Sequence, residues 1–301
     1  MITLVPTSGL CNRMRAIASA VSLSKHLGRE LEVIWIPDSA LGCSFNQLFE
    51  PLPCIRVIQP NKITKHLYQE NQFLLEKTQN KFKNQVLATS SSFCQKMICD
   101  RVIGNAEIGD IKTIDLIDEV SKSRKPLLIT NRHFYNDLGS NLYEVFEPIK
   151  ELKASTMERT ANFNEYTIGL HIRRGDHVKS IVNSPLSVFK KAIKNEIDVN
   201  SKANFYVASD SIKDKESLKK AFGSRITTDF EQTSRDNDAG MKAALIDLYS
   251  LSKTRKIYGS YWSSFSRVSA EISGIELIRL VKDSDDTNVM SNVAVAPGLI
   301  H

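Results

Sequence analysis

The segment GLHIRRGDH, residues 169–177, contains the residues best suited to chemistry. An apolar run ends there in two adjacent arginines, Arg173 and Arg174. Two guanidinium groups are costly to bury without an anion, whereas a diphosphate offers several oxygens to their planar donors. Ligands of open α/β sheets bind at the carboxyl ends of strands, so the pair predicts a phosphate-binding site. A surface turn, with the arginines paired to nearby carboxylates, is the alternative.

The serine-rich segment GSYWSSFS, residues 259–266, is a second candidate for phosphate binding. Hydroxyls and free backbone amides at the start of a helix present hydrogen-bond donors to phosphate, and the helix dipole favours the negative charge. Ser263 and Ser264 are the predicted contacts. Plain N-capping of the helix that follows is the alternative, and the two roles are compatible.

Three more polar residues stand where they could meet a ligand. Asp247 lies among apolar residues in the helical segment ALIDLYSL, so its carboxylate needs solvent or a partner. Asp210 follows the strand segment FYVAS, and His171 lies beside the arginines, where it could orient a nucleotide. The alternatives are a helix-surface position for Asp247, a helix cap for Asp210 and a satisfied core position for His171.

The N-terminal segment SGLCNRMR, residues 8–15, joins a predicted strand to a predicted helix. Asn12 and Arg13 stand in the first turn of that helix, from which a side chain can reach a ligand near the glycine turn. A glycine turn before a helix is common in α/β proteins, so this segment alone indicates only a βαβ unit.

In this order, the segments resemble the motifs of the α1,2-, α1,6- and protein O-fucosyltransferases. GLHIRRGDH is similar to their HxRRxD peptide, and FYVASDS is similar to the second motif, a strand ending in a Ser-Asp or Thr-Asp pair. DLYSLS followed by GSYWSSFS resembles the third motif. SGLCNRMR resembles the glycine-turn peptide, of the GGxGNQ or GGxGNR type. The resemblance covers the second half of the chain and the first turn.

The resemblance implies an α/β fold of the GT-B type, in which two Rossmann-like domains face each other across a cleft. It also implies a fucosyltransferase of glycan biosynthesis that moves fucose from GDP-fucose to a glycan or glycoconjugate hydroxyl, with inversion and without a metal ion. Asp247 would bind the guanine edge. The implied donor contacts are Asn12, Arg13, His171, Arg173, Arg174, Asp210, Asp247, Ser263 and Ser264.

The implied catalytic residues are Arg173, Arg174 and Asp176. The arginines would stabilise the departing diphosphate, and an acceptor hydroxyl must lose a proton to a base near the anomeric carbon. Asp176 is the first candidate base and His177 the second. Some relatives carry an acid a few residues beyond the motif, where this chain has Val-Lys-Ser-Ile, so the identity of the base stays open.

The order of predicted elements is that of a doubly wound α/β protein. Strand 2–5, a helix ended by Gly28 and strand 31–36 form a βαβ unit; residues 60–125 read only as mostly helical. Further strands are predicted at 126–130, 166–172, 204–208, 225–227, 256–259 and 275–281, with helices beginning at Ser184-Pro185, Lys213, Asp238 and Ser263. We predict an N-terminal Rossmann-like acceptor domain, residues 1–155, and a C-terminal Rossmann-like GDP-sugar domain, residues 156–301.

Composition narrows the function classes. The chain has 301 residues, of which 42% are hydrophobic, a size that allows two cores. A formal net charge of +6 without a run of five basic residues argues against a nucleic-acid arm and suits an anionic small ligand. Five cysteines without CxxC spacing predict neither a zinc site nor a disulfide framework and fit a reducing cytoplasm, with peripheral membrane association at its inner face as a second option.

Two other functions compete with this interpretation. A metal-dependent transferase would use one of the DxD-spaced segments, residues 236–238 or 283–285, to bind Mg²⁺ or Mn²⁺. A non-catalytic module that binds GDP-sugars or phosphoglycans would explain the missing acid after HxRRxD.

Overall fold

The computed structural model describes residues 1–53, 55–61, 67–68, 89–90, 93–136, 141–175, 178–230 and 234–282. The chain divides into two compact units, Met1–Glu147 and Pro148–His301. Among the described residues, none of the helices is both long enough and apolar enough to cross a membrane.

The first unit is built on a five-stranded parallel sheet with the strand order β3-β2-β1-β5-β4. Its strands are β1 (Ile2–Pro6), β2 (Leu31–Ile34), β3 (Ile55–Ile58), β4 (Arg101–Ile103) and β5 (Pro126–Thr130). Its helices are α1 (Leu10–His26), α2 (Asn105–Asp110) and α3 (Thr113–Lys122), with a 3-10 turn at Phe45–Gln47 and helical residues at 93–98.

The second unit also contains a five-stranded parallel sheet, with the strand order β10-β9-β6-β7-β8. Its strands are β6 (Thr167–Ile172), β7 (Asn204–Ser209), β8 (Ile226–Thr227), β9 (Lys256–Ser260) and β10 (Glu276–Leu280). Its helices are α4 (Lys150–Thr160), α5 (Val178–Asn183), α6 (Leu186–Val199), α7 (Ile212–Phe222), α8 (Asp238–Ser252) and α9 (Ser264–Ser273), with a 3-10 turn at Gly223–Arg225.

Helices cover both faces of the second sheet, because its central strands are apolar on both sides. Along β7, Phe205 and Val207 pack into the core that α6 covers, whereas Tyr206 and Ala208 pack into the core beneath α8 and α9. Side chains alternate along a strand, so neighbouring residues of β7 serve opposite faces. The polar residues that follow the strands therefore emerge at the carboxyl edge of the sheet.

The predicted α/β class, with two doubly wound sheets, is confirmed. Strand β5 has the predicted bounds, and α8 begins at the predicted Asp238. A helix was predicted to begin at Ser184-Pro185, and α6 begins at Leu186 with Pro185 as its N-cap. The Ser184 hydroxyl does not cap this helix: it donates to the Leu280 carbonyl and accepts from the Tyr261 amide.

Candidate nucleotide-sugar site

The strand order of the second sheet reverses beside β6, which pairs with β7 on one side and β9 on the other. Arg173 follows β6 directly, and its backbone amide donates to the hydroxyl of Ser260, the last residue of β9, at 2.9 Å. The Ser260 hydroxyl in turn donates to the His171 carbonyl at 3.2 Å. The arginine segment is thus held at a topological switch point, where open α/β sheets bind ligands.

Asp210, which follows β7, organises the arginine segment. Its Oδ2 atom accepts a hydrogen bond from Nη1 of Arg173 at 2.7 Å, and its Oδ1 atom accepts one from the backbone amide of Arg174 at 2.7 Å. Gly175 fits against this carboxylate with a φ of +31°, and a Cβ atom there would lie 2.8 Å from Oδ2. The structure therefore uses both oxygens of Asp210 to hold the arginine segment.

Arg174 is fixed by a dense set of contacts. Its Nε atom donates to Asp214 Oδ2 at 2.6 Å, and its Nη1 atom donates to the carbonyls of Arg173 and Ser184 at 3.1 and 2.9 Å. Its Nη2 atom is buried and makes no hydrogen bond with any described residue. Arg174 thus ties the segment after β6 to α7 and to the start of α6, and it keeps one unsatisfied donor.

Both arginines are paired with carboxylates, as the surface-turn alternative predicted, but neither lies on an open surface. The side chain of Arg173 is 16% exposed and that of Arg174 is 13% exposed. A guanidinium has five N–H groups, so a carboxylate contact leaves it the capacity to bind a further anion. The pairing with Asp210 fixes where the Arg173 side chain points.

His171 is a buried residue of β6, two positions before Arg173. Its ring stacks on Phe265 of α9, with 4.7 Å between the ring centroids and 18° between the planes. Burial, with a smaller contribution from the Arg173 charge, lowers the pKa of His171 to about 3, so the ring is neutral at physiological pH. Its Nδ1 atom is buried without a hydrogen-bond partner among the described residues. A buried polar atom without a hydrogen bond costs free energy unless a ligand or a water molecule supplies the bond.

The serine turn between β9 and α9 has the geometry of a helix N-terminus. Ser263 is the N-cap, and its hydroxyl accepts from the Phe265 amide at 3.3 Å. Ser264 is the first helical residue and is half-buried. Ser263 therefore caps the helix, as the alternative predicted. The first turn of α9 follows β9, whose last residue, Ser260, accepts a hydrogen bond from the Arg173 amide.

Asp247 lies in a buried charged cluster rather than on the helix surface. The residue is 4% exposed, and its Oδ1 atom accepts from Nη1 of Arg159 at 2.9 Å and from the Tyr206 hydroxyl at 2.5 Å. Arg159 also contacts Asp229 at 2.6 Å, and Asp229 contacts the buried Lys215 at 3.1 Å. Burial, followed by the Asp229 charge, raises the pKa of Asp247 to about 6.

In the first unit, Arg13 is buried and bonded to the turn after β1. It is fully buried, donates to the carbonyls of Ser8 and Ile36 at 2.7 and 2.6 Å, and pairs with Asp38 at 2.9 Å. Its guanidinium also lies over the Trp35 ring, 5.0 Å from the centroid. Through these contacts Arg13 supports the turn after β1, and its contact with a donor sugar stays a prediction.

Asn12 lies beside the same turn. Its amide nitrogen donates to the Ser8 hydroxyl at 3.2 Å, and the residue is half-buried. Ser8 itself has a φ of +69°, so the side-chain contact supports a left-handed backbone position.

Two of the predicted residues, Asp176 and His177, lie outside the described residues, as does the DxD-spaced segment 283–285. In the other such segment, Asn237 caps α8 by accepting from the Gly240 amide at 2.8 Å, and Asp236 contacts the Ser234 hydroxyl. Among the described residues, acidic, histidine and cysteine side chains form no group able to hold a metal ion.

Two residues that contact the predicted site residues come from distant segments and were not predicted from the sequence. Asp214 and Arg159 are ordinary helix residues in the sequence, on α7 and α4, and no local pattern marks their contacts with Arg174 and Asp247. Trp262 could have been singled out, because it stands inside the serine-rich motif. Its φ is +51°, a left-handed backbone conformation that is rare for an aromatic residue.

Solved structures of fucosyltransferases match the chain along nearly its whole length. NodZ α-1,6-fucosyltransferase from Bradyrhizobium, soaked with GDP-fucose, is 14% identical, with a TM-score of 0.62 over 97% of this chain and 98% of that one. Arabidopsis thaliana FUT1, as a variant in complex with GDP, is 14% identical, with a TM-score of 0.65 over 98% of this chain and 74% of that one. The chain has the fold of these fucosyltransferases.

POFUT1 in complex with GDP is a more distant neighbour, 12% identical with a TM-score of 0.51 over 91% of this chain and 94% of that one. No protein-family model and no curated protein sequence matches the chain. At these identities the shared property is the fucosyltransferase fold, and the α/β architecture that the motif resemblance implied is confirmed. The motif segments lie in that fold at the ends of β6, β7 and β9.

Proposed function

We propose that the chain is a GDP-fucose-dependent fucosyltransferase that transfers fucose to a hydroxyl of a glycan or glycoconjugate. One observation carries the proposal: Arg173 is held at the switch point of the second sheet by Asp210 and Ser260, between two residues with unsatisfied buried polar atoms. Those atoms are Nδ1 of His171 and Nη2 of Arg174. A buried polar atom without a hydrogen bond costs free energy, and both atoms are explained if a polar ligand binds beside them.

The proposed role of Arg173 is to stabilise the leaving group. Cleavage of a glycosyl bond to a diphosphate passes through an oxocarbenium-like state while negative charge grows on the departing oxygen. A guanidinium that is already oriented by Asp210 stabilises that charge without reorganising during the reaction. The first-turn amides of α9, beside Ser263 and Ser264, add donors and a favourable helix dipole to the same diphosphate.

The proposed site for the guanine base lies on the sheet face covered by α8 and α9. Asp247 and the stacked pair of His171 and Phe265 both belong to this face, because Tyr206, Leu251 and Phe265 pack in one core. Both observed hydrogen bonds to Asp247 fall on Oδ1. We assign the other carboxylate oxygen, together with the neutral imidazole, to the hydrogen-bonding edge of guanine.

We propose an inverting reaction without a metal ion, in which Arg173 and the helix amides supply the positive potential that a divalent cation supplies elsewhere. Asp176 remains the first candidate for the base that deprotonates the acceptor, with His177 second. The first unit is the proposed acceptor domain, with Asn12 near its glycine turn, and the protein is proposed to act in the cytoplasm.

The decisive experiment incubates the purified chain with GDP-fucose and a mixture of oligosaccharide acceptors, and follows release of GDP and fucosylated product. We expect GDP release that depends on acceptor, with UDP-linked sugars inactive. Tight binding of GDP-fucose without any turnover would favour the non-catalytic binding module. Absence of binding to GDP, GDP-fucose and GDP-mannose alike would reject both.

A further inference from the structure

Trp262 is exposed and strained at the carboxyl edge of the second sheet. It follows β9 by two residues, the residue is 68% exposed, and its φ of +51° lies in a region that aromatic residues rarely adopt. Residues held in rare backbone conformations concentrate at ligand-binding sites, because the surrounding structure retains them for function. A glycine at this position would adopt the same left-handed backbone conformation without strain, yet the residue is a tryptophan.

The sequence neighbours of Trp262 belong to the proposed diphosphate site. Ser260, two residues earlier, bonds the Arg173 amide, and Ser263, the next residue, caps α9. The group attached to the outer phosphate of a nucleotide sugar is the sugar ring itself. A side chain beside the diphosphate donors is therefore within reach of that ring.

The Trp262 ring contacts a cation and an aromatic ring. Lys179 of α5 lies with its Nζ atom 5.9 Å from the centroid of the Trp262 ring, and the Tyr261 ring packs edge-on at 5.9 Å. Helix α5 also leaves Val178 and Val182 exposed, by 69% and 65%. An exposed indole on such a surface suits an apolar patch of a sugar better than its hydroxyl groups.

We propose that Trp262 contacts the 6-deoxy face of the donor sugar and thereby selects a 6-deoxyhexose over a hexose that carries a 6-hydroxyl. The inference rests on the proposed function and deepens it, because it assigns a residue to the choice of sugar. A methyl group against the indole gains apolar contact, whereas a hydroxyl in its place must lose water to make the same contact.

The test compares binding of GDP, GDP-fucose and GDP-L-galactose, which differs from GDP-fucose only by a hydroxyl at C6, by calorimetry. We expect the wild type to prefer GDP-fucose over GDP-L-galactose by roughly 10-fold or more. In Trp262→Gly this preference should fall close to one while the affinity for GDP stays within about twofold. Glycine accepts the left-handed backbone, so this variant removes the indole without adding strain. Trp262→Phe should keep part of the preference.

Fluorescence supplies an independent readout, because the chain has two tryptophans and Trp35 is fully buried. Emission quenched by iodide should come from Trp262, and GDP-fucose should protect it more than GDP does. Val199→Ala, which removes another exposed apolar side chain, is the matched control. An unchanged sugar preference in Trp262→Gly, with GDP still bound, would overturn the inference alone. Failure of the wild type to bind GDP would reject the proposed function and the inference together.

Discussion

The carboxylate of Asp210 lies 2.7 Å from Nη1 of Arg173, joining the end of β7 to the end of β6. This contact converts a long, mobile side chain into a donor with a fixed direction at the carboxyl edge of the sheet. Preorganisation of this kind lowers the barrier to a reaction in which charge develops, because no reorientation is required at the transition state. The same contact also reduces the net charge that the site presents to an approaching diphosphate.

Loss of the Arg173 side chain should slow transfer strongly without unfolding the protein. We expect Arg173→Ala to lower kcat with GDP-fucose by roughly 10²- to 10³-fold, the scale for removing one preorganised donor. Asp210 loses its partner at Oδ2 but keeps its bond to the Arg174 amide, so the thermal midpoint should fall while the protein stays folded. Arg225→Ala, which removes an arginine bonded to the carbonyls of Ser201 and Ala203, is the control. Wild-type turnover in Arg173→Ala would reject the proposed role.

We expect Arg174 to contribute mainly to the stability of the folded protein. Arg174→Ala leaves the Asp214 carboxylate and the Ser184 carbonyl without their partner, and we expect the free energy of unfolding to fall by about 3 kcal/mol. Urea titration measures this change. In the double variant with Asp214→Ala, the loss should be smaller than the sum of the single losses, because the unpaired charge is gone. Strict additivity would show that the pair is not coupled.

Gly175 should tolerate no side chain, because a Cβ atom there would lie 2.8 Å from Asp210 Oδ2. We expect Gly175→Ala to displace the carboxylate from Arg173 and to lower kcat/KM about 10-fold or more, since small misplacements of a catalytic group are costly. Gly274→Ala is the matched control, because Gly274 has a φ of +63° with nothing near its missing Cβ. That control should lose about 1 kcal/mol of stability and keep its activity.

Donor affinity should weaken as the pH falls through about 6, the raised pKa of Asp247. The proposed contact with guanine needs the carboxylate, whereas burial favours the protonated acid below that pH. The dissociation constant of GDP-fucose should therefore rise about tenfold per pH unit below the pKa. GDP-fucose is the right probe because its β-phosphate, bonded to both the sugar and the α-phosphate, has no ionisation in this pH range. Asp247→Asn should bind weakly with no such pH dependence; an equal slope in both proteins would contradict the assignment.

The same raised pKa affects stability with a defined sign. In the unfolded chain Asp247 titrates near its usual value of about 4, so between pH of about 4 and 6 the folded state binds the extra proton. The contribution of Asp247 to the free energy of unfolding therefore decreases as the pH rises through that window and is constant above it. Comparing the wild type with Asp247→Asn by urea titration isolates this term.

Removal of divalent metal should leave the transfer rate unchanged. In the proposed mechanism, Arg173 and the backbone amides of α9 stabilise the negative charge on the leaving diphosphate. In the DxD-spaced segment 236–238, Asn237 already caps α8. Assays with excess EDTA, and with Asp236→Asn and Asp238→Asn, measure this directly. A rate that collapses with EDTA and recovers with Mn²⁺ would favour the metal-dependent alternative instead.

The sequence predicted the elements of the second unit well, because buried parallel strands and capped helices leave strong local patterns. Helix α8 begins at the predicted Asp238, and β9 and β10 lie within a residue of their predicted bounds. The strands of the first unit were harder to predict. Strands β3 and β4 are short, and β3 is only partly buried, so neither carries an apolar run that distinguishes it from a loop.

Residue type and spacing along the chain determined the fold class, the position of the arginine pair at a strand end and the motif resemblance, because those properties are local. Tertiary structure alone decided which charges meet: Asp210 and Asp214 with the two arginines, Arg159 with Asp247, and Arg13 with Asp38 inside the first unit. Such pairings join residues up to 88 positions apart. They depend on how strands are ordered in the sheet, which no single segment encodes.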